Sequence, residues 1–260
     1  GSVASDDARG AFGIGRAETV EATAPRGQRQ RYQHHVDDAL TFYVSLVVPQ
    51  IQNQYPHFLF HLEFDFEIAV MVARSAHGQA VTWAPTQTIQ SDGICTSTIS
   101  PAPKLSSGLA EKAQHLALSI ANDLALIGVM AVEMFVKGEQ LFINELAMRP
   151  HNSGHWTIEG AKTSQFEQHL RAILDLPLGD PSMVAPYAVM GNILGGEKTD
   201  MYRPYLHLMA RNPELKFHQY KKEVRPGRKI GHVTAVGSDL LQLTTDVQHA
   251  RDYMSGVIDE

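Results

Sequence analysis

Residues 129–136 and 141–146 are two apolar, β-forming runs separated only by Lys137-Gly138-Glu139-Gln140, and each carries one carboxylate, Glu133 or Glu145. That pattern folds as an antiparallel hairpin. A three-residue loop over 138–140 pairs Lys137 with Leu141 and sets Glu133 opposite Glu145, with Cβ atoms roughly 5 Å apart. Like charges so placed destabilise a ladder, and apolar neighbours add a desolvation cost. Two arrangements relieve the conflict. Either a divalent cation sits between the carboxylates, with Asn144 beside them, or both carboxylates are solvated on an open sheet face. A hard ion such as Mg²⁺, shared with nucleotide phosphates, suits these oxygens better than zinc. A one-residue slip would put the two glutamates on opposite faces.

The chain then passes through a polar cluster, Arg149, His151, Asn152 and His155. Guanidinium and amide donors match the oxygens of phosphate or carboxylate. The plainer reading is a hydrogen-bonded loop with satisfied core histidines. His151 and His155 have the spacing of zinc ligands on one helix face, but Pro150 and Gly154 interrupt any such helix. Further on, residues 221–229 place five cations around the turn Pro226-Gly227. That run is either a solvated surface or a phosphate-binding turn facing the carboxylates. His232 follows at the start of a strand, as a structural or a site residue.

Alternation and β-propensity predict strands over 64–74, 79–89 and 94–100, with Asp92-Gly93 as a turn. Ser106 or Ser107 caps a helix with Leu109, Leu116, Ala117, Ile120, Ala121 and Leu124 on one face, and Gly128 ends the connection. A second helix is expected over 163–174, stopped near Pro177. A strand over 184–194, a helix over 203–211, a strand over 215–220, a strand through Val236 and a final helix capped by Ser238 complete the chain. Residues 1–35 read as a loosely ordered arm, in which Gly10, Gly13 and Gly15 resemble part of a phosphate loop without a preceding strand. The segment 37–62 is apolar without a clear period. The expected class is α+β, with a small C-terminal subdomain after about residue 180.

Composition narrows the function. A net charge of −6 and a pI near 6.1 disfavour a nucleic-acid binder. Cys95 is the single cysteine, so neither an intrachain disulfide nor a cysteine zinc cluster can form, and a cytoplasmic location is expected. No apolar run reaches membrane-spanning length and no signal-peptide pattern is present.

The run 144–156, Asn-Glu-Leu-Ala-Met-Arg-Pro-His-Asn-Ser-Gly-His-Trp, resembles the signature of 5-(carboxyamino)imidazole ribonucleotide synthase, an ATP-grasp ligase of bacterial and fungal purine biosynthesis. Supporting stretches are Phe64-Asp65-Phe66-Glu67, residues 128–133, residues 163–171 and residues 225–232, so the resemblance spans roughly 63–240. The Ala-Met-Arg-Pro-His form is most like actinobacterial members. The resemblance implies an ATP-grasp mixed sheet with flanking helices, its C-terminal part over 63–180, followed by a β-rich subdomain over 181–260. It also implies a homodimer.

The implied reaction joins bicarbonate to 5-aminoimidazole ribonucleotide as ATP becomes ADP and phosphate. By the same resemblance, Glu133 and Glu145 hold Mg²⁺, Asn144 assists the nucleotide site and Glu67 contacts the ATP ribose. Arg149, His151 and Asn152 surround bicarbonate or the aminoimidazole. Lys222, Arg225 and Arg228 bind the ribonucleotide phosphate or orient bicarbonate. Residues 1–62 do not resemble the family's N-terminal domain or its glycine-rich loop. A second reading therefore takes the chain as a catalytically incomplete remnant that keeps ribonucleotide binding or dimerisation.

Overall fold

The computed structural model describes residues 63–91, 93–197 and 200–259. The expected arm with its three glycines, the segment 37–62 and Asp92 of the expected turn lie outside these residues. The elements are β1 (Phe66–Arg74), β2 (Ala80–Thr82), β3 (Thr86–Ser91), β4 (Ile94–Ser100), α1 (Ser107–Asp123), β5 (Gly128–Lys137) and β6 (Gln140–Ala147). A 3-10 turn (Asn152–Gly154) and a single helical turn, α2 (Thr157–Gly160), precede α3 (Gln165–Ile173). Then come β7 (Tyr187–Leu194), α4 (Tyr202–Arg211), β8 (Lys216–Gln219), β9 (Lys229–Gly237) and α5 (Leu240–Ser255).

The strands form one sheet in the order β6-β5-β1-β3-β4-β7-β9-β8, with β2 attached to β1. Every pairing among these strands is antiparallel. The α+β class expected from the sequence is the one observed. Strands on both sides of residue 180 share the sheet, because β7 pairs with β4.

Strand alternation sorts the side chains onto two faces. Ile68, Val70 and Val72 of β1 and Met130, Val132 and Met134 of β5 pack with Leu109, Ala113, Ala117 and Ala121 of α1. The four-residue spacing of those α1 positions makes a narrow, small-residue stripe, which lets the helix lie close to the sheet. Met71, Ala73, Val129 and Ala131 point the other way and pack with Trp83, Trp156, Ala188 and Met190. A third cluster joins Val189, Ile193, Val233 and Ala235 to Leu208 of α4 and Val247, Ala250 and Met254 of α5. Among the described residues no helix is long and apolar enough to cross a membrane.

Several local expectations change. The strand expected over 79–89 is two strands, because after Trp83 N–H has donated to the Met71 carbonyl the chain leaves the ladder at Ala84-Pro85, and the Pro85 carbonyl accepts from Ala102 N–H instead. Proline has no N–H for a ladder. Ser106 caps α1 by accepting from Leu109 N–H. Ser164, which accepts from Glu167 N–H, starts α3 two residues later than expected. The final helix is capped by Asp239, not Ser238, with the carboxylate accepting from Gln242 N–H.

The hairpin holds the most consequential correction. Its turn has two residues, Gly138-Glu139, so Lys137 pairs with Gln140 and not with Leu141. Gly138 has φ of 54° at the first central position, the left-handed geometry a tight hairpin turn of this length requires. An unbroken ladder from there would set Glu133 opposite Asn144. A bulge intervenes: Met134 pairs with Ile143, Glu133 pairs with Glu145, and Asn144 is the extra residue. The glutamates do face each other, but the bulge is what aligns them.

Candidate active site

Glu133 lies on the sheet face opposite α1, since its neighbour across β1 is Ala69. Glu67, two positions along β1, shares that face, and so does Thr88 of β3, its direct partner. Glu67 Oε2 accepts from Gln90 Nε2 at 3.0 Å and from Thr88 Oγ1 at 3.4 Å. Three carboxylates therefore gather on one face. Burial pushes the Glu133 carboxyl above its ordinary range, with Glu145 and Glu67 adding to the shift and Arg149 opposing it.

After β6 the chain folds back over this face. The 3-10 turn follows from Pro150 and Gly154, as expected of residues that cannot continue a helix. Trp156 is fully buried and its Nε1 donates to Thr86 Oγ1 at 2.9 Å, tying the loop to the sheet. His151 Nδ1 accepts from Ser153 N–H at 3.3 Å and meets Ser153 Oγ at 2.8 Å. That leaves the ring proton on Nε2, 3.3 Å from Glu133 Oε1.

A cavity of about 430 Å³ opens between loop and sheet, lined by Thr88, Gln90, Cys95, Glu133, Arg149, His151, Asn152, His155, Tyr220 and Lys229 among others. Its electrostatics are set by burial. His151 and His155 are each pulled down to about 4, by desolvation first and then by neighbours that include Arg149 and Lys229. His232 falls to about 3, and Tyr220, whose hydroxyl lies 2.7 Å from His232 Nδ1, is pushed up to about 12. Near neutral pH the imidazoles are uncharged, so Arg149 and Lys229 are the cations at the cavity. Among the described residues no carboxylate pairs with Lys229, and burial lowers its pKa.

These shifts have a stability consequence. A histidine with a depressed folded pKa binds fewer protons in the folded than in the unfolded state, so stability rises with pH between the two values. The urea midpoint is expected to fall as pH drops from about 6.5 toward about 4. Glu133, raised in the folded state, contributes the opposite slope over its own range. A His232→Asn variant should flatten the histidine slope; an unchanged midpoint over that window in the parent protein would contradict neutral burial.

The predicted site residues fall into four groups. Glu133, Arg149, His151 and Asn152 line the cavity; Glu67 and Glu145 flank Glu133 on the same face. Asn144 sits exposed at the bulge. The basic turn divides. Lys222 lies 5.4 Å over the Tyr220 ring and lines a separate hollow of about 510 Å³ with Asp200, Tyr205 and Glu223. Arg225 pairs with Glu223 at 2.5 Å, Arg228 donates to the Glu223 carbonyl at 3.3 Å, and neither lines the cavity. Sequence reasoning passed over Lys229, Cys95, Tyr220, Thr88 and Gln90. Only the last cation of the basic run carried any signal.

The donor set fits a hard divalent cation. Two facing carboxylates, one half-buried with a raised pKa, gain from a counter-ion, and Mg²⁺ characteristically takes one or two protein carboxylates plus phosphate oxygens. Among the described residues no cluster of three or more His, Cys, Asp or Glu forms a self-sufficient metal cage.

Residues 58–166 match the ATP-grasp domain, and residues 188–246 match the phosphoribosylaminoimidazole carboxylase C-terminal domain. The chain is 50% identical over 193 residues to the N5-carboxyaminoimidazole ribonucleotide synthase of Mycobacterium tuberculosis, covering 73% of this chain and 45% of the relative. Identity to the Escherichia coli enzyme of the same name is 40% over 202 residues, covering 76% and 54%. Among solved structures, the Thermus thermophilus N5-carboxyaminoimidazole ribonucleotide synthetase superposes with a TM-score of 0.65 at 37% identity, covering 76% of this chain and 52% of that one. An Aspergillus clavatus synthase in complex with ADP and 5-aminoimidazole ribonucleotide gives a TM-score of 0.66 at 35% identity, covering 74% and 51%. The chain thus spans about half the length of the curated relatives it matches. These matches take in both the carboxylate hairpin and the polar loop, so the chain pairs an ATP-grasp match with a phosphoribosylaminoimidazole carboxylase C-terminal match and is similar over that span to N5-carboxyaminoimidazole ribonucleotide synthases.

Proposed function

We propose that this chain carries the C-terminal catalytic half of an ATP-dependent carboxylase. Its reaction converts 5-aminoimidazole ribonucleotide and bicarbonate to N5-carboxyaminoimidazole ribonucleotide, with ATP becoming ADP and phosphate. The observation that carries the reading is one cavity lined by the Glu133 carboxylate, which faces Glu145 across the ladder, and by the oxyanion donors Arg149, Asn152 and Lys229. The ADP and 5-aminoimidazole ribonucleotide of the Aspergillus clavatus complex support the choice of substrates. Bicarbonate as carboxyl source, Mg²⁺, a cytoplasmic location and a homodimer belong to the proposal on the strength of the family resemblance. A division near residue 180 is supported by the gap between the two domain matches, although the sheet continues across it.

Bicarbonate is a poor electrophile, and phosphorylation by ATP gives carboxyphosphate, which the amine attacks directly or after release of CO₂. The cation, when bound, neutralises charge on the nucleotide phosphates. Glu133 and Glu145 would hold it, and Asn144 would assist at the nucleotide. Glu67, oriented by Gln90 and Thr88, offers its second oxygen to ribose hydroxyls. Arg149 and Lys229 supply positive charge where oxyanions gather. His151, its proton on Nε2, donates to Glu133 rather than removing a proton. Asn152 offers an amide to the bicarbonate or aminoimidazole. Lys222, with Arg225 and Arg228 near it, would hold the ribonucleotide phosphate at the rim. Such catalysis is chiefly positioning plus electrostatic stabilisation.

The test is ADP release by the full chain with Mg²⁺, measured with and without the aminoimidazole ribonucleotide and bicarbonate. Release that needs both co-substrates is expected. Calorimetric binding of the ribonucleotide without any ADP release would instead mark a binding remnant.

A further inference from the structure

Gln165 begins α3 and is wholly buried beneath the polar loop. Its Oε1 accepts from the His151 backbone N–H at 2.7 Å, and its Nε2 donates to the His151 backbone carbonyl at 2.8 Å. A backbone N–H can only donate and a carbonyl can only accept, so these two contacts fix which end of the amide is which. The amide nitrogen has one proton left. It lies 3.0 Å from His155 Nδ1, which must therefore accept.

The consequence passes to the other ring nitrogen. A neutral imidazole that accepts at Nδ1 carries its proton at Nε2. The ring is held between Phe166, stacked at 5.7 Å, and His232, stacked at 4.8 Å. Burial and the nearby cations oppose its protonation. His155 lines the cavity, and among the described residues nothing accepts its Nε2 proton. Lys229 and Arg149 line the same space.

We propose that Gln165 is a positioning residue that locks His155 as a neutral Nε2–H donor, and that this donor binds an oxyanion, a carbonate or phosphate oxygen, in the cavity. Only the identity of that oxyanion rests on the carboxylation reading; the locked tautomer does not. Gly154 is part of the same device. A Cβ there would stand 2.7 Å from Gln165 Oε1, so the loop can close over the glutamine only where no side chain intervenes.

Two-bond proton–nitrogen correlation spectra of the full chain labelled with ¹⁵N-histidine read the tautomer directly, with His155→Phe used to assign the signals. The parent protein is expected to show His155 protonated at Nε2 alone. In Gln165→Glu, a carboxylate oxygen replaces the donating amide, so Nδ1 should become protonated. Titration with orthophosphate should move the His155 Nε2 signal saturably. His155→Phe keeps the stacked ring but lacks the donor, and should weaken orthophosphate binding about tenfold, the value of one charge-assisted hydrogen bond. A parent protein with the proton on Nδ1 would overturn the lock, as would a Gln165→Glu protein with Nδ1 still bare. An Nε2 signal indifferent to orthophosphate would overturn the oxyanion role. None of these readings uses ATP, so failure to release ADP would leave them standing, and their failure would leave the carboxylation test intact.

Discussion

Trp156→Ala is expected to lower the unfolding free energy by about 3–5 kcal/mol, the usual cost of emptying a large aromatic site in a core. The indole is fully buried against Ala188, Met190 and Met71, and Gly160 is packed so tightly that a Cβ there would stand 2.8 Å from the ring. Little around it can collapse into the hole, because the sheet behind is held by ladder bonds on both sides. The substitution also deprives Thr86 Oγ1 of its indole donor. Trp156→Phe separates the two contributions: most of the packing stays, and the hydrogen bond alone costs about 1 kcal/mol. Urea unfolding of both variants is the measurement. A loss in Trp156→Ala no larger than in Trp156→Phe would mean that the ring does not anchor the loop.

Glu145→Gln is the sharper test of function, because its effects on stability and on activity have opposite signs. Glu145 is exposed and faces Glu133 across the bulged ladder. Removing its charge relieves a like-charge pair, so stability without metal should hold or rise by about 0.2–1 kcal/mol. The Glu133 carboxyl should titrate lower, since Glu145 is one cause of its raised value. ADP release should nevertheless fall about 10²–10³-fold, the typical loss when one electrostatic stabiliser is removed from a pre-organised site. Thermal melts and steady-state assays at several Mg²⁺ concentrations would show both effects. Full activity in Glu145→Gln would remove the carboxylate pair from the mechanism. A large drop in melting temperature would mark it as structural.

The carboxylate pair shows how much was legible and why. Alternation within residues 129–136 and 141–146 made the hairpin readable, and the two glutamates do oppose each other. The route was wrong in two compensating ways. The turn is one residue shorter than expected, and the bulge at Asn144 restores the missing step. Hydrophobic period 2 specifies that two strands pair, but a bulge costs little locally and leaves no periodic trace. In the same way Pro85 interrupts a strand that alternation alone would have continued. The cap of α1, expected at Ser106 or Ser107, was readable because capping is decided within three residues, whereas the same local rule left Ser238 and Asp239 unresolved and the structure chose Asp239.

The chain's own order of residues determined the strands, most of the helices, the carboxylates, the polar loop and the family resemblance, all of which rest on neighbours close in sequence. The tertiary structure alone decided the cavity's far wall. Lys229 and Tyr220 reach Cys95 and Glu133 only because β7 and β9 continue the sheet beyond β4, and no local pattern encodes that strand order. It also decided that Arg225 and Arg228 turn to Glu223 while Lys229 faces the cavity. The role of Gln165 is the clearest case. A buried glutamine at a helix start is locally unremarked, and its meaning arises when packing brings both backbone groups of His151 and the ring of His155 to its amide. Short-range spacing sets which groups a segment can present, whereas the packing of distant segments sets which groups meet and which proton each then carries.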